Sequence, residues 1–134
     1  MRKMIWKAEC RMGNDDIDAQ HRLLYAIANE LLEIDNPVSQ ELEIKYLLRH
    51  LKDYIDNHFK FEEQFMDKHN YPNIADHKMK HQKIIGEIKD ALINSKTLYQ
   101  VKDNLENLFI AWIQTHILVE DKRLFDWAKL HKIV

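Results

Sequence analysis

At 134 residues the chain is long enough for one domain that closes a single apolar core without disulfides. Apolar residues make up 46% and charged residues 31%, with only two glycines and two prolines, which argues against turn-rich sheets and barrels and for an all-α protein. Lysine plus arginine number 20 against 22 aspartates and glutamates, so the formal charge of −2 offers no electrostatic footprint for nucleic acid or an anionic membrane.

The opening stretch from Met1 to Cys10 places Arg2, Lys3, Lys7 and Glu9 too close together for the apolar segment of a secretory signal. No run elsewhere is long enough to span a bilayer, so a cytoplasmic protein is expected. Cys10 is the only cysteine, which rules out an internal disulfide and a zinc site built on several thiolates; it reads as an ordinary free thiol.

From Ile17 onward, Leu24, Ile27, Ala28, Leu31 and Leu32 fall at the three-and-four spacing of one buried helical stripe, and the first helix is expected to end near Asp35. Asn36-Pro37 breaks the pattern, and Ser39, Glu41 and Glu43 suit a new helix start. The second helix is long, with a buried face running Leu47, Leu48, Leu51, Tyr54, Ile55, His58, Glu62, Phe65 and Met66. Asn70-Tyr71-Pro72-Asn73 reads as a loop, after which His77, His81, Ile84, Ile85, Ile88 and Leu92 trace a third stripe. Asn94-Ser95-Lys96 is another polar break, and Val101, Leu105, Leu108, Phe109, Trp112 and His116 mark a fourth helix. Leu124, Phe125, Trp127, Ala128 and Leu130 form a short terminal helix packed across the others. Short connections favour antiparallel neighbours, so residues 1–134 are expected to form one domain: an up-down-up-down four-helix bundle with a short C-terminal helix.

Leucine and isoleucine normally fill such stripes, and an unpaired polar group in a core costs on the order of 1–3 kcal/mol, so histidine and carboxylate in that phase need a reason. All four stripes contain them: His21 in the first, His58 and Glu62 in the second, His77 and His81 in the third, and His116 followed by Glu120 and Asp121 in the fourth. Residues four apart lie one turn above each other on one side of a helix, so each such pair aims two donor atoms at one place. Any one pair is a weak signal. Four stripes that converge in a bundle core and each supply a metal-ligand residue type point to a metal centre. Imidazole and carboxylate accept several metals, zinc among them, so the residues alone leave the metal open. Ideal geometry alone would choose Glu120 over Asp121, because five residues at roughly 100° each turn Asp121 about 140° away from His116.

The segments Gly13-Asn-Asp-Asp-Ile17-Asp18-Ala-Gln20-His21, His58-Phe-Lys-Phe-Glu62, Tyr71-Pro72, His77-Lys-Met-Lys-His81 and Trp112-Ile-Gln-Thr-His116-Ile-Leu-Val-Glu-Asp121 together resemble the hemerythrin pattern. The resemblance spans nearly the whole chain and is closest to the compact prokaryotic members of that family. It implies two non-heme irons with an oxygen bridge: His77, His81 and His116 on one iron, His21 and His58 on the other, and Glu62 and Asp121 bridging both. With about six ligands usual for such iron, the two-histidine iron is one short, and the family pattern puts reversibly bound dioxygen there. No amino acid need act as nucleophile or base, so the resemblance implies an oxygen carrier, store or delivery protein rather than an enzyme.

Reconciling that pattern with helix geometry predicts that the fourth helix ends or is distorted just after His116, swinging Asp121 inward and leaving Glu120 to solvent. Leu24, Phe59, Trp112 and Ile113 lie within a turn of the proposed ligands and are candidates for an apolar oxygen pocket, while also suiting plain core packing. His50, His69 and His131 read as solvated surface. A di-iron oxidase, peroxidase or nitric oxide-handling enzyme, or an oxygen or iron sensor, would use the same scaffold. The absence of any Glu-x-x-His separates the chain from ferritin-like oxidases. An oxygen-accepting partner protein and the oligomeric state stay open.

Overall fold

The computed structural model describes residues 4–133, so Arg2 and Lys3 of the opening stretch lie outside it. Four helices make the bundle: α1 over Asp15–Leu32, α2 over Glu41–His69, α3 over Ile74–Asn94 and α4 over Leu98–Ala111. α4 runs on through a π-helical stretch, Trp112–Asp121, directly into α5, Lys122–Leu130. There is no strand among the described residues, and none of their helices is long and apolar enough to cross a membrane.

Local chemistry sets the helix ends. The Asn14 side chain accepts a hydrogen bond from the Ile17 N–H at 3.1 Å, and Asp15, Asp16 and Asp18 put negative charge at the positive end of the α1 dipole. Asp18 also accepts from the Met12 N–H at 2.8 Å, which ties down the segment before the helix. α1 stops at Leu32, short of the expected Asp35, because Gln40 Oε1 accepts from the N–H groups of Asp35 at 3.0 Å and Asn36 at 2.9 Å and holds them in a turn. α2 begins with Glu41 and Glu43 and ends with Lys68 and His69, again matching the dipole. Its stop is a left-handed residue, Asn70 (φ 57°), followed by a Tyr71 N–H bond to the Met66 carbonyl at 3.0 Å, with both of those side chains buried. Thr97 caps α4 by accepting from the Gln100 N–H at 3.1 Å.

α1 packs on α2 and α4, and α3 packs on the same two, so the rods close a ring in the expected up-down-up-down order. The inner face of α2 follows the sequence reading with two shifts: Ile44 and Phe59 are buried, while Leu48 and Phe65 are only half-buried. α3 departs further. His77 and His81 are buried, but Ile84, Ile85, Ile88 and Leu92 remain half-exposed, so the lower half of that stripe is less enclosed than its periodicity implies.

α5 seals the end of the bundle beyond the α2–α3 loop. Phe125 packs on Phe65 with ring centroids 5.2 Å apart, and Trp127 packs edge-on against Tyr71 at 5.1 Å. Leu130, expected to join that face, is 82% exposed because the helix ends there. Gly13 has φ +80°, a left-handed conformation that favours glycine, whereas the Lys129 side-chain end that a Cβ would meet is flexible and can move aside.

Candidate metal centre

Burial gathers the seven side chains singled out from the sequence. His21 comes from α1, His58 and Glu62 from α2, His77 and His81 from α3, and His116 and Asp121 from the π-helical stretch; none is more than 3% exposed. They fall into two overlapping groups. Glu62, His77, His81, His116 and Asp121 form one, His21, His58, Glu62 and Asp121 form the other, and within each the donor atoms lie inside 4.8 Å of one another. Two donors each about 2.0–2.2 Å from a common ion are separated by distances of this order.

The contacts divide along the same line. Asp121 Oδ1 lies 3.1 Å from both His77 Nε2 and His116 Nε2, while its Oδ2 lies 3.0 Å from His21 Nε2 and 3.7 Å from His58 Nε2. Glu62 Oε1 is 3.0 Å from His81 Nε2, 3.3 Å from His77 Nε2 and 3.7 Å from His58 Nε2. Both carboxylates therefore stand between the two histidine groups, and all five imidazoles turn Nε2 inward.

The π-helical winding resolves the Asp121 problem. Hydrogen bonds from i to i+5 widen the turn, so His116 and Asp121, five apart, come onto one face. The distortion begins at Trp112, before His116 and not just after it, and the helix does not end but continues into α5. Glu120 is not free in solvent either: its side chain is 14% exposed and pairs with Lys80 at 2.7 Å. The other histidines are peripheral. His50 and His131 are exposed beside Tyr46 and Trp127, and His69 is half-buried against Phe65.

Two residues that the sequence reading did not single out for this orient the rings. His58 Nδ1–H donates to Gln20 Oε1 at 2.6 Å, and His81 Nδ1–H donates to Glu63 Oε2 at 2.9 Å; each bond leaves the Nε2 lone pair facing the cluster. Gln20 and Glu63 sit beside His21 and Glu62 in the chain, and that adjacency was the only available signal. Phe59 stacks flat on His81 at 3.9 Å, and Trp112 lies 5.7 Å from Phe59. Leu24 and Ile113 are fully buried in the same core. Tyr54, read before only as core, stacks on His58 at 5.0 Å, and its buried hydroxyl has no partner among the described residues.

Charge in this space is tightly interdependent. Burial and Asp121 act to raise the Glu62 carboxyl, yet His58, His116 and His77 outweigh them and hold it well below the usual range. Asp121 is likewise depressed, burial being overcome by His116 above all, then His21 and His58. Burial opposes charge on His77, but Asp121 and Glu62 push it up to about 9; the same balance takes His116 to about 10. Burial, then Asp121 and Glu62, push the Tyr54 phenol well above its ordinary value, so it keeps its proton.

The donor set suits a metal pair. Among the described residues, His58 Nε2, His116 Nε2, Glu62 Oε2 and Asp121 Oδ1 are buried without a hydrogen-bond partner, although carboxylate oxygens stand within 4 Å of both histidine nitrogens and Asp121 Oδ1 lies 3.1 Å from His116 Nε2. Buried polar atoms left in this state are costly, and atoms crowded around common points without pairing are what metal coordination relieves. Imidazole and carboxylate without thiolate suit iron, and also zinc. Two surface grooves approach from opposite faces of the ring. One of about 320 Å³ between α1 and α2 is lined by Gln20, Tyr54 and His58, and one of about 350 Å³ between α3 and α4 by Trp112 and His116.

Residues 12–128 match the family model described as the hemerythrin HHE cation binding domain. The chain is 28% identical over 131 residues to a bacteriohemerythrin of Stenotrophomonas maltophilia, covering 98% of this chain and 85% of that one. It is 32% identical over 127 residues to a bacteriohemerythrin of Clostridium acetobutylicum, covering 91% and 98%. A bacteriohemerythrin of Campylobacter jejuni is 33% identical over 114 residues, covering 84% and 86%. No solved structure gives a significant match.

Proposed function

The chain belongs to the hemerythrin family, and from that premise we propose that it binds dioxygen reversibly, as a carrier, store or delivery protein, at two non-heme irons. In this reading His77, His81 and His116 hold one iron, His21 and His58 hold the other, and Glu62 and Asp121 bridge them. The observation that carries it is the position of Asp121, whose two oxygens face different histidine groups, Oδ1 toward His77 and His116 and Oδ2 toward His21 and His58. When bound, the iron pair supplies the electrons that make oxygen capture reversible.

The residues of the chain set the conditions. Three imidazoles against two leave the His21 and His58 side one protein donor short, and in this reading a small ligand takes that position. Phe59, stacked on His81, and Trp112, packed on Phe59, together with the buried Leu24 and Ile113, form the apolar side of the oxygen pocket in this reading and limit the water and protons that promote irreversible oxidation. Tyr54 keeps a neutral hydroxyl on the His58 side. The role proposed is non-catalytic, with residues 1–134 acting as one hemerythrin-like domain in a cytoplasmic setting.

The deciding experiment is the visible absorption of iron-loaded protein carried through cycles of reduction and air exposure. A band that appears in air and vanishes under inert gas without loss of iron is the expected result. Irreversible bleaching with turnover of an added reductant would instead favour a di-iron oxidase or peroxidase.

A further inference from the structure

We propose that Gln20 and Glu63 make the two halves of the centre unequal in redox potential, so that the first electron leaves from the His77, His81 and His116 side. The inference rests on the two-iron reading above. Its observation is an asymmetry in what the outer ring nitrogens touch. On the three-histidine side, His81 Nδ1–H donates to a carboxylate oxygen of Glu63 at 2.9 Å. On the two-histidine side, His58 Nδ1–H donates to the neutral amide oxygen of Gln20 at 2.6 Å, and the buried Nδ1 of His21 has no partner among the described residues.

A hydrogen bond to a charged acceptor is roughly twice as strong as one between neutral groups, and it draws the ring proton outward. The imidazole then carries more electron density at Nε2 and becomes a better donor to a ferric ion than to a ferrous one. The His81 side chain is completely buried and the Glu63 side chain is 29% exposed, so solvent screens this effect only in part. Among the described residues His81 is the only ion-pair partner of Glu63, so no lysine neutralises the carboxylate. The two-histidine side receives no such charge through its outer nitrogens. One-electron oxidation of the reduced pair by an added oxidant therefore leaves the ferric charge beside His81 and keeps the two-histidine iron ferrous.

Gln20 and Glu63 act through the imidazoles as positioning residues, and isosteric exchange separates charge from shape. In a potentiometric titration of the anaerobic iron-loaded protein, Glu63→Gln should raise the first midpoint potential by about tenfold in ferrous preference, or about 59 mV. Gln20→Glu should lower the second midpoint and narrow the gap between the steps. Glu63→Asp, which keeps the charge, should stay closer to the unaltered protein than Glu63→Gln does. The paramagnetic resonance spectrum of the half-oxidised state should change in Glu63→Gln and in Gln20→Glu. Unmoved potentials in Glu63→Gln and Gln20→Glu at two irons per chain would overturn the inference, as would equal shifts in Glu63→Gln and Glu63→Asp. An iron content other than two in the unaltered protein would overturn the two-iron reading itself, and is measured separately by elemental analysis.

Discussion

Tyr54, stacked on His58 within the field of two carboxylates, carries a hydroxyl that is buried, protonated and without a partner among the described residues. A buried polar group that makes no hydrogen bond costs about 1–3 kcal/mol, so its removal in a shape-preserving way should be favourable in the metal-free protein. Tyr54→Phe is therefore expected to raise the stability of the metal-free chain by about 1 kcal/mol in urea denaturation. A loss of stability would show that the hydroxyl is satisfied by water. The ligand residues behave oppositely. His77→Ala removes a donor facing both carboxylates, and should lower iron retention on a desalting column and also lower thermal stability, because binding and folding are linked. The ligand types were legible because a histidine or glutamate breaks the apolar phase of its stripe, as His58 and Glu62 do. Gln20 and Glu63 were not, because each lies one position away from a phase-breaking residue, where a polar side chain is ordinary.

At the scale of elements, the stretch from Trp112 to Asp121 decides which carboxylate reaches the centre. Ideal α-helical periodicity favours Glu120, and only the wider π winding brings Asp121 in and sends Glu120 to Lys80. The sequence therefore signalled a distortion without revealing its kind or extent, since hydrogen-bond register leaves no mark in residue type. Asp121→Ala should abolish binding of the second equivalent of iron despite the neighbouring glutamate. Retention of both irons in that variant would mean that the winding is easily undone. The α2 terminus gives a simpler case. Asn70 occupies a left-handed conformation that costs most residues roughly 1–2 kcal/mol, so Asn70→Ala should lower the melting temperature and Asn70→Gly should not. The half-exposure of Ile84, Ile85 and Ile88 escaped the sequence for a different reason: periodicity gives the direction of a face, not how completely its neighbours cover it.

For the molecule as a whole, the metal-free centre is an ionic core whose charges are linked to folding. His77 and His116 are raised to about 9 and about 10, above the ordinary histidine value, so their contribution to stability is complete below about 6.5 and is lost as pH climbs through those values. Glu62 and Asp121 are depressed, so theirs is complete above about 4.5 and is lost on acidification. The metal-free chain should accordingly be most stable between those limits and weaken on both sides. Metal reverses the alkaline slope, because iron takes neutral imidazole and competes with the protons that His77 and His116 hold at pH 7. Ferrous iron binding at that pH should release about two protons per chain, and the release should fall toward zero above pH 10. Anaerobic titration calorimetry in two buffers of different ionisation heat measures this directly. An apparent binding heat independent of buffer would mean that the imidazoles are already neutral and that ionic pairing does not hold the metal-free core together.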